Sequence, residues 1–180
     1  SDLSCAVVAA RSARPTPAAP NSSPGAASCR PFGAFAAAFF SGCTVEVAAE
    51  IKAYNGINEI RVSRGMPPLV ADPALAEVAR IRSRDMAARG YFDHNPPDGC
   101  NYACLMDQRG VSYAWAGENI AWNTWDWSKT ADVAVDMWRN SPGHMENILG
   151  CRYERFGTGV AKGADGKVYY TMIFEGNRPC

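Results

Sequence analysis

The sequence predicts an α+β domain, an α-β-α sandwich with a small antiparallel sheet between helices. Three observations point there. Cap-plus-proline punctuation marks helix starts at Asp72-Pro73 and Ser141-Pro142. Segments suited to strands fall late in the chain. The last two of these flank Gly163-Ala164-Asp165-Gly166, whose glycines suit a hairpin loop. Helices at both ends of the order, with late hairpin-connected strands, fit an antiparallel sheet covered by helices.

Taken in order, Thr44 caps a first helix with Glu46 in its first turn, and Val47, Ile51, Tyr54 and Ile57 form one apolar face. Gly65 and Pro67-Pro68 stop it. The helix begun at Asp72-Pro73 runs through Leu75, Val78, Ala79 and Met86 to Arg89, and Gly90 ends it. A short helix from Tyr102 to Arg109 is closed by Gly110. Asn119–Trp122 reads as a strand. Ser128 opens a helix whose Ala131, Val135 and Trp138 share a face, and Ser141-Pro142 starts a brief turn through Leu149. Thr158–Lys162 and Val168–Phe174 are the strands of the hairpin.

Residues 1–43 have a different character. They are rich in Ala, Pro and Ser, show no sustained period, and read as an N-terminal extension to a domain spanning 44–180. Asn21-Ser22-Ser23 is a glycosylation sequon that matters only in a eukaryotic source. Phe35, Phe39 and Phe40 suit docking of the extension onto the domain. The longest apolar run, Phe32–Phe40, is far short of the roughly 20 residues a spanning helix needs, so no transmembrane protein is expected. With 18 Lys+Arg against 18 Asp+Glu, the chain has no electrostatic footprint for nucleic acid.

Seven cysteines in 180 residues point to an oxidising compartment and a secreted, extracellular protein. None forms a C-x-x-C pair, which argues against a closed structural zinc site. The chain begins at Ser1 with no Met and no signal-like segment, as expected of a mature secreted protein.

The two histidines sit in polar, turn-rich motifs. His94 lies in Tyr91-Phe92-Asp93-His94-Asn95-Pro96-Pro97-Asp98-Gly99, and His144 in Asn140-Ser141-Pro142-Gly143-His144-Met145-Glu146-Asn147-Ile148-Leu149. Between them Ala116-Gly117-Glu118-Asn119-Ile120-Ala121 leads an acidic residue into a strand. Together with Ile57-Asn58-Glu59-Ile60-Arg61, Met66-Pro67-Pro68-Leu69 and Met137-Trp138, these pieces resemble the CAP superfamily of cysteine-rich secretory, antigen 5 and pathogenesis-related 1 proteins. The resemblance covers about Thr44 to Phe174. The form Ser-Pro-Gly-His-x-x-Asn-Ile-Leu is similar to the bacterial SCP-like extracellular branch.

The resemblance implies a central cleft lined by two histidines and two glutamates. Carried over by motif these are His94, His144 and Glu118, while the second glutamate falls at Ser141. The tetrad is therefore incomplete, and Asp98 or Glu146 would have to supply a further carboxylate. Two imidazoles and a carboxylate suit Zn²⁺ or another divalent cation, with His94 and His144 as ligands and Glu118 as a third. The same residues could also form a plain hydrogen-bonded network. Ser141 beside His144 suggests a nucleophile, but Ser before Pro at a helix start is a cap whose hydroxyl takes a backbone N–H. Glu146 in that helix's first turn suits the dipole without catalysis.

Trp115, Trp122, Trp125 and Trp127 line a ligand groove or simply pack, whereas Trp138 belongs to the core. The expected function is non-catalytic binding of a divalent metal and of a lipid, a sterol, or an extracellular or cell-wall partner. The alternative is a metal-dependent, peptidase-like hydrolase using His94, His144 and Glu118 or Glu146. Catalytic candidates are thus Glu118, Glu146 and Ser141. For the cysteines, a Cys100–Cys104 bridge would brace the cleft and leave Cys151 unpaired. Cys5, Cys29, Cys43 and Cys180 would tie down the tails.

Overall fold

The structure, a computed structural model, describes residues 44–180. The extension's sequon, its phenylalanines and Cys5, Cys29 and Cys43 lie outside the described residues. Thr44 Oγ1 accepts from the Val47 N–H at 3.3 Å and starts α1 (Val45–Ser63). After β1 (Val70–Ala71), Asp72 Oδ1 accepts from the N–H groups of Ala74 and Leu75 and starts α2 (Pro73–Arg89). Gly90, at φ 68°, ends α2 in the left-handed conformation that favours glycine. Next come α3 (Tyr102–Gln108), β2 (Trp115–Asn123), α4 (Thr130–Arg139), α5 (Pro142–Ile148), β3 (Arg155–Lys162) and β4 (Val168–Gly176).

The four strands form one sheet in the order β1-β3-β4-β2. β4 lies antiparallel to both β2 and β3, and the expected hairpin joins β3 to β4. The two-residue β1 adds a parallel edge to the antiparallel sheet, with its neighbours held by Val70 N–H to Glu154 O and Asp72 N–H to Phe156 O. A strand that short carries no period to read. β2 also starts before Asn119, because Gly117 and Glu118 break its apolar pattern yet pair with Phe174 and Ile173.

Alternation along β4 divides the core into two layers. Val168, Tyr170, Met172 and Phe174 pack with α1, α4 and α5 around the fully buried Trp138, whose indole N–H donates to Ile120 O. On the other face Tyr169 and Ile173 pack against α2 and α3. Gly157 and Gly159 let α2 lie directly on β3. A Cβ at either would land on α2 backbone, at Leu75-Ala76 or at Ala79-Arg80.

Four local expectations need correction. On α1 Val47 and Ile57 are buried as expected and Tyr54 stacks on Phe156 of the core, but Ala49, Ala53 and Ile60 complete the buried face and Ile51 is only half-buried. The fourth helix starts at Thr130, because Asp126 Oδ1 captures both the N–H and the hydroxyl of Ser128 in a turn before it. Ser141 stands at the N-cap of α5, but its side chain makes no capping hydrogen bond. The Cys100–Cys104 bridge forms as expected, whereas Cys151 is paired with Cys180. Antiparallel pairing brings the end of β4 back beside the start of β3. Glu154 N–H donates to Glu175 O, and the chain continues past Gly176 against Arg152 with Cys180 within reach of Cys151.

Candidate functional site

Two consecutive residues of β2 hold the two histidine segments from opposite faces of the strand. Glu118 is buried, with 1% of its side chain exposed, and engages His94. Its Oε2 accepts from His94 Nδ1 at 2.6 Å, and its Oε1 accepts from Arg82 Nε at 2.8 Å. Asn119 holds the other segment, donating from Nδ2 to His144 O at 3.1 Å. Asn147 braces it by donating to Asn119 Oδ1 at 2.8 Å and to Glu118 O, and Tyr153 OH donates to Asn147 Oδ1 at 3.2 Å. The buried Arg61 caps the far end of α5, donating to Ile148 O at 2.6 Å and Gly150 O at 3.2 Å.

The histidines open onto one cleft of about 320 Å³, lined by Phe92, Asp93, Ile120, Ala121, Trp122, Met137 and Trp138 beside His94 and His144. The walls are mainly apolar, and Phe92, Trp122 and Met137 remain exposed at the rim. The hydrogen bond to Glu118 holds the His94 imidazole above its ordinary pKa. His144 is pushed below, by burial first and by the neighbouring His94 second. Its Nδ1 is buried with no hydrogen-bond partner, leaving Nε2 as the nitrogen available to the cleft.

The other candidates lie elsewhere. Asp98 is exposed, accepts from Arg89 at 2.7 Å, and does not line the cleft. Glu146 faces a separate groove of about 310 Å³ beside Trp115, Arg152 and the Cys151–Cys180 bridge. Among the tryptophans only Trp122 and Trp138 reach the cleft. Trp125 is exposed beside Lys129, Trp115 lies beneath Arg152, and Trp127 packs on the core.

Five residues that hold the site have no role in the sequence expectations: Arg82 and Tyr153 lie outside the motifs, and Tyr91, Asn119 and Asn147 lie inside them as unassigned polar positions. For Arg82 a signal existed: it follows Val78 and precedes Met86 by one helical turn each, which places it on the buried face of α2.

Among the described residues no three His, Cys, Asp or Glu side chains are grouped to hold a metal ion. The donors present suit a two-histidine site. With Nδ1–H committed to Glu118, His94 offers the Nε2 lone pair, in the carboxylate–histidine arrangement that orients metal ligands. His144 is less prepared, because metal on Nε2 would leave an Nδ1–H buried without an acceptor.

The model of the cysteine-rich secretory protein family (CAP) matches residues 54–174. The protein YkwD of Bacillus subtilis (strain 168) is 37% identical over 115 residues, covering 64% of this chain and 43% of that protein. The crystal structure of an extracellular SCP-domain protein from Bacillus anthracis superposes with TM-score 0.66 at 29% identity, covering 73% of this chain and 41% of the other. The chain thus spans about two fifths of the length of each. The crystal structure of NaASP2 with Zn²⁺ shares the fold at TM-score 0.51 and 16% identity, covering 72% of this chain and 83% of that one.

Proposed function

Because the chain belongs to the cysteine-rich secretory protein (CAP) family, we propose that it is an extracellular, non-catalytic binding domain. Residues 44–180 form the CAP domain and 1–43 a cysteine-containing extension. The cleft takes Zn²⁺ or a similar divalent cation on His94 and His144, and its apolar rim at Phe92, Trp122 and Met137 contacts a lipid, a sterol or a partner protein. One observation carries the reading: the buried Arg82–Glu118 pair fixes Nδ1 of His94, so Nε2 is offered to an apolar cleft that His144 shares. The zinc in NaASP2, which has the same fold, supports the choice of metal. Two disulfides and the extracellular relative from Bacillus anthracis support secretion.

Hydrolysis is less well supported. Glu118 is buried, does not line the cleft and holds Arg82 and His94, so it is not placed to meet a water there. Glu146 faces a different groove. Calorimetric titration with Zn²⁺ tests the reading. Wild type binds, His94→Ala abolishes the binding heat, and His144→Ala weakens it less, since that ligand carries an unpaired Nδ1–H costing about 1–3 kcal/mol. Equal zinc affinity in wild type and the double variant would sink the site. Quenching of Trp122 by an added fatty acid or sterol, lost in Trp122→Ala, tests the rim.

A further inference from the structure

Arg82 has 1% of its side chain exposed, yet its guanidinium makes four hydrogen bonds, three to the 91–94 segment and one to β2. Nε donates to Glu118 Oε1 on β2 at 2.8 Å, and Nη1 donates to Tyr91 OH at 2.7 Å. Nη2 donates to Asp93 O at 2.7 Å and His94 O at 3.2 Å. Tyr91 OH in turn donates to Asp85 Oδ2 at 2.5 Å, back on α2. One rigid planar group therefore holds both the main chain that carries His94 and the carboxylate that grips the His94 ring. Nothing else on the α2 side joins these two parts among the described hydrogen bonds.

We propose that Arg82 is the positioning residue of the cleft, and that its fork sets which nitrogen of His94 faces a ligand. Arg82 itself does not line the cleft and touches no ligand. It acts by fixing the distance between Glu118 and the 91–94 loop, so that Nδ1–H always points into the strand and Nε2 outward. A lysine at this position would keep the charge. A single ammonium on a flexible stem cannot satisfy a carboxylate, a phenol and two carbonyls in one fixed geometry. The consequence for metal rests on the two-histidine site proposed above. The consequence for the ring proton does not.

The test uses Arg82→Lys and the gentler Tyr91→Phe, which removes one acceptor from the guanidinium and leaves its other three bonds. In metal-free wild type, NMR should show a slowly exchanging, far-downfield proton on His94 Nδ1, the signature of the bond to Glu118. In Arg82→Lys that signal is lost and zinc affinity falls roughly 10–100-fold, the usual range when an outer partner of a ligand is removed. In Tyr91→Phe the proton shifts upfield and zinc affinity falls by a smaller factor. An Arg82 that only supported the fold would lower the unfolding midpoint while the ring proton and the zinc affinity of the folded protein stayed unchanged, and that result would overturn the proposal. Should Arg82→Lys fail to fold, an unchanged Nδ1 proton in Tyr91→Phe overturns it equally. If wild type takes up no zinc, the metal reading fails, and the Nδ1 proton alone decides the role of Arg82.

Discussion

Glu118 gives one oxygen to a cation and the other to an imidazole, and it sits among the most buried charges of the domain. Replacing it by Gln preserves volume but leaves the buried Arg82 without its counter-charge, a loss of roughly 3–5 kcal/mol for buried pairs. Urea denaturation of Glu118→Gln checks this, and stability within 1 kcal/mol of wild type would contradict it, taking ~1 kcal/mol as the upper limit for an exposed pair. The two histidines make opposite contributions to pH dependence. The folded pKa of His94 lies above its ordinary 6.5, so its stabilising contribution is fully present below 6.5 and is lost as pH rises through the folded value. The folded pKa of His144 lies below 6.5, so stability is lost as pH falls from 6.5 through that value. Unfolding free energies across a pH series should therefore lose their decline above 6.5 in His94→Gln and their decline below 6.5 in His144→Gln. At this scale the sequence was readable where a motif names its residue. Both histidines and Glu118 carry groups whose chemistry marks them within their motifs, whereas Asn119 and Asn147, in the same motifs, show their bracing role only once the fold brings them together.

Among the elements, α2 shows how tightly local and tertiary demands agree. Asp72 caps it, Pro73 opens it and Gly90 ends it, all within the helix's own sequence. Its seat on β3 depends on Gly157 and Gly159 in a strand more than sixty residues later, where a side chain would strike helix backbone. Gly159→Ala should cost about 3 kcal/mol, the upper end for overpacking, because backbone cannot swing aside as a side chain can. A thermal unfolding midpoint unchanged from wild type would refute the close approach. The same strand edge explains a buried ion pair. Past Phe156 β1 no longer covers β3, and Glu50 of α1 accepts there from the Val160 N–H while gripping Arg80 of α2. The pair closes an edge that would otherwise expose unpaired backbone. The expected α1 face erred by including Ile51 and leaving out Ala49 and Ala53, since periodicity ranks residues by apolarity. Close packing on α4 instead selects small ones, and Gly56 stands so near Val135 that a Cβ would meet its Cγ2 at 3.0 Å.

For the molecule as a whole, the Cys151–Cys180 bridge ties the segment after β4 to the turn before β3 across a sequence separation of 29. A loop of that length implies roughly 3–4 kcal/mol from restriction of the unfolded chain. Cys151→Ser should lower stability by about that amount, read by denaturation with and without reductant, and reductant should then have little further effect through this bridge. The Cys100–Cys104 bridge closes a far shorter loop and should contribute less. Class, hairpin, histidine motifs and the caps at Thr44 and Asp72 were set by the sequence alone, because each is written in chemistry a few residues wide: a carboxylate before proline, a glycine after a helix, a turn between two apolar runs. Only the tertiary structure decided that Arg82 grips Glu118, that Glu146 faces away from the cleft, and that Cys180 meets Cys151. Those outcomes depend on which distant segments the sheet order places side by side. That order is settled by packing of the two core layers and not by any local preference of the residues concerned.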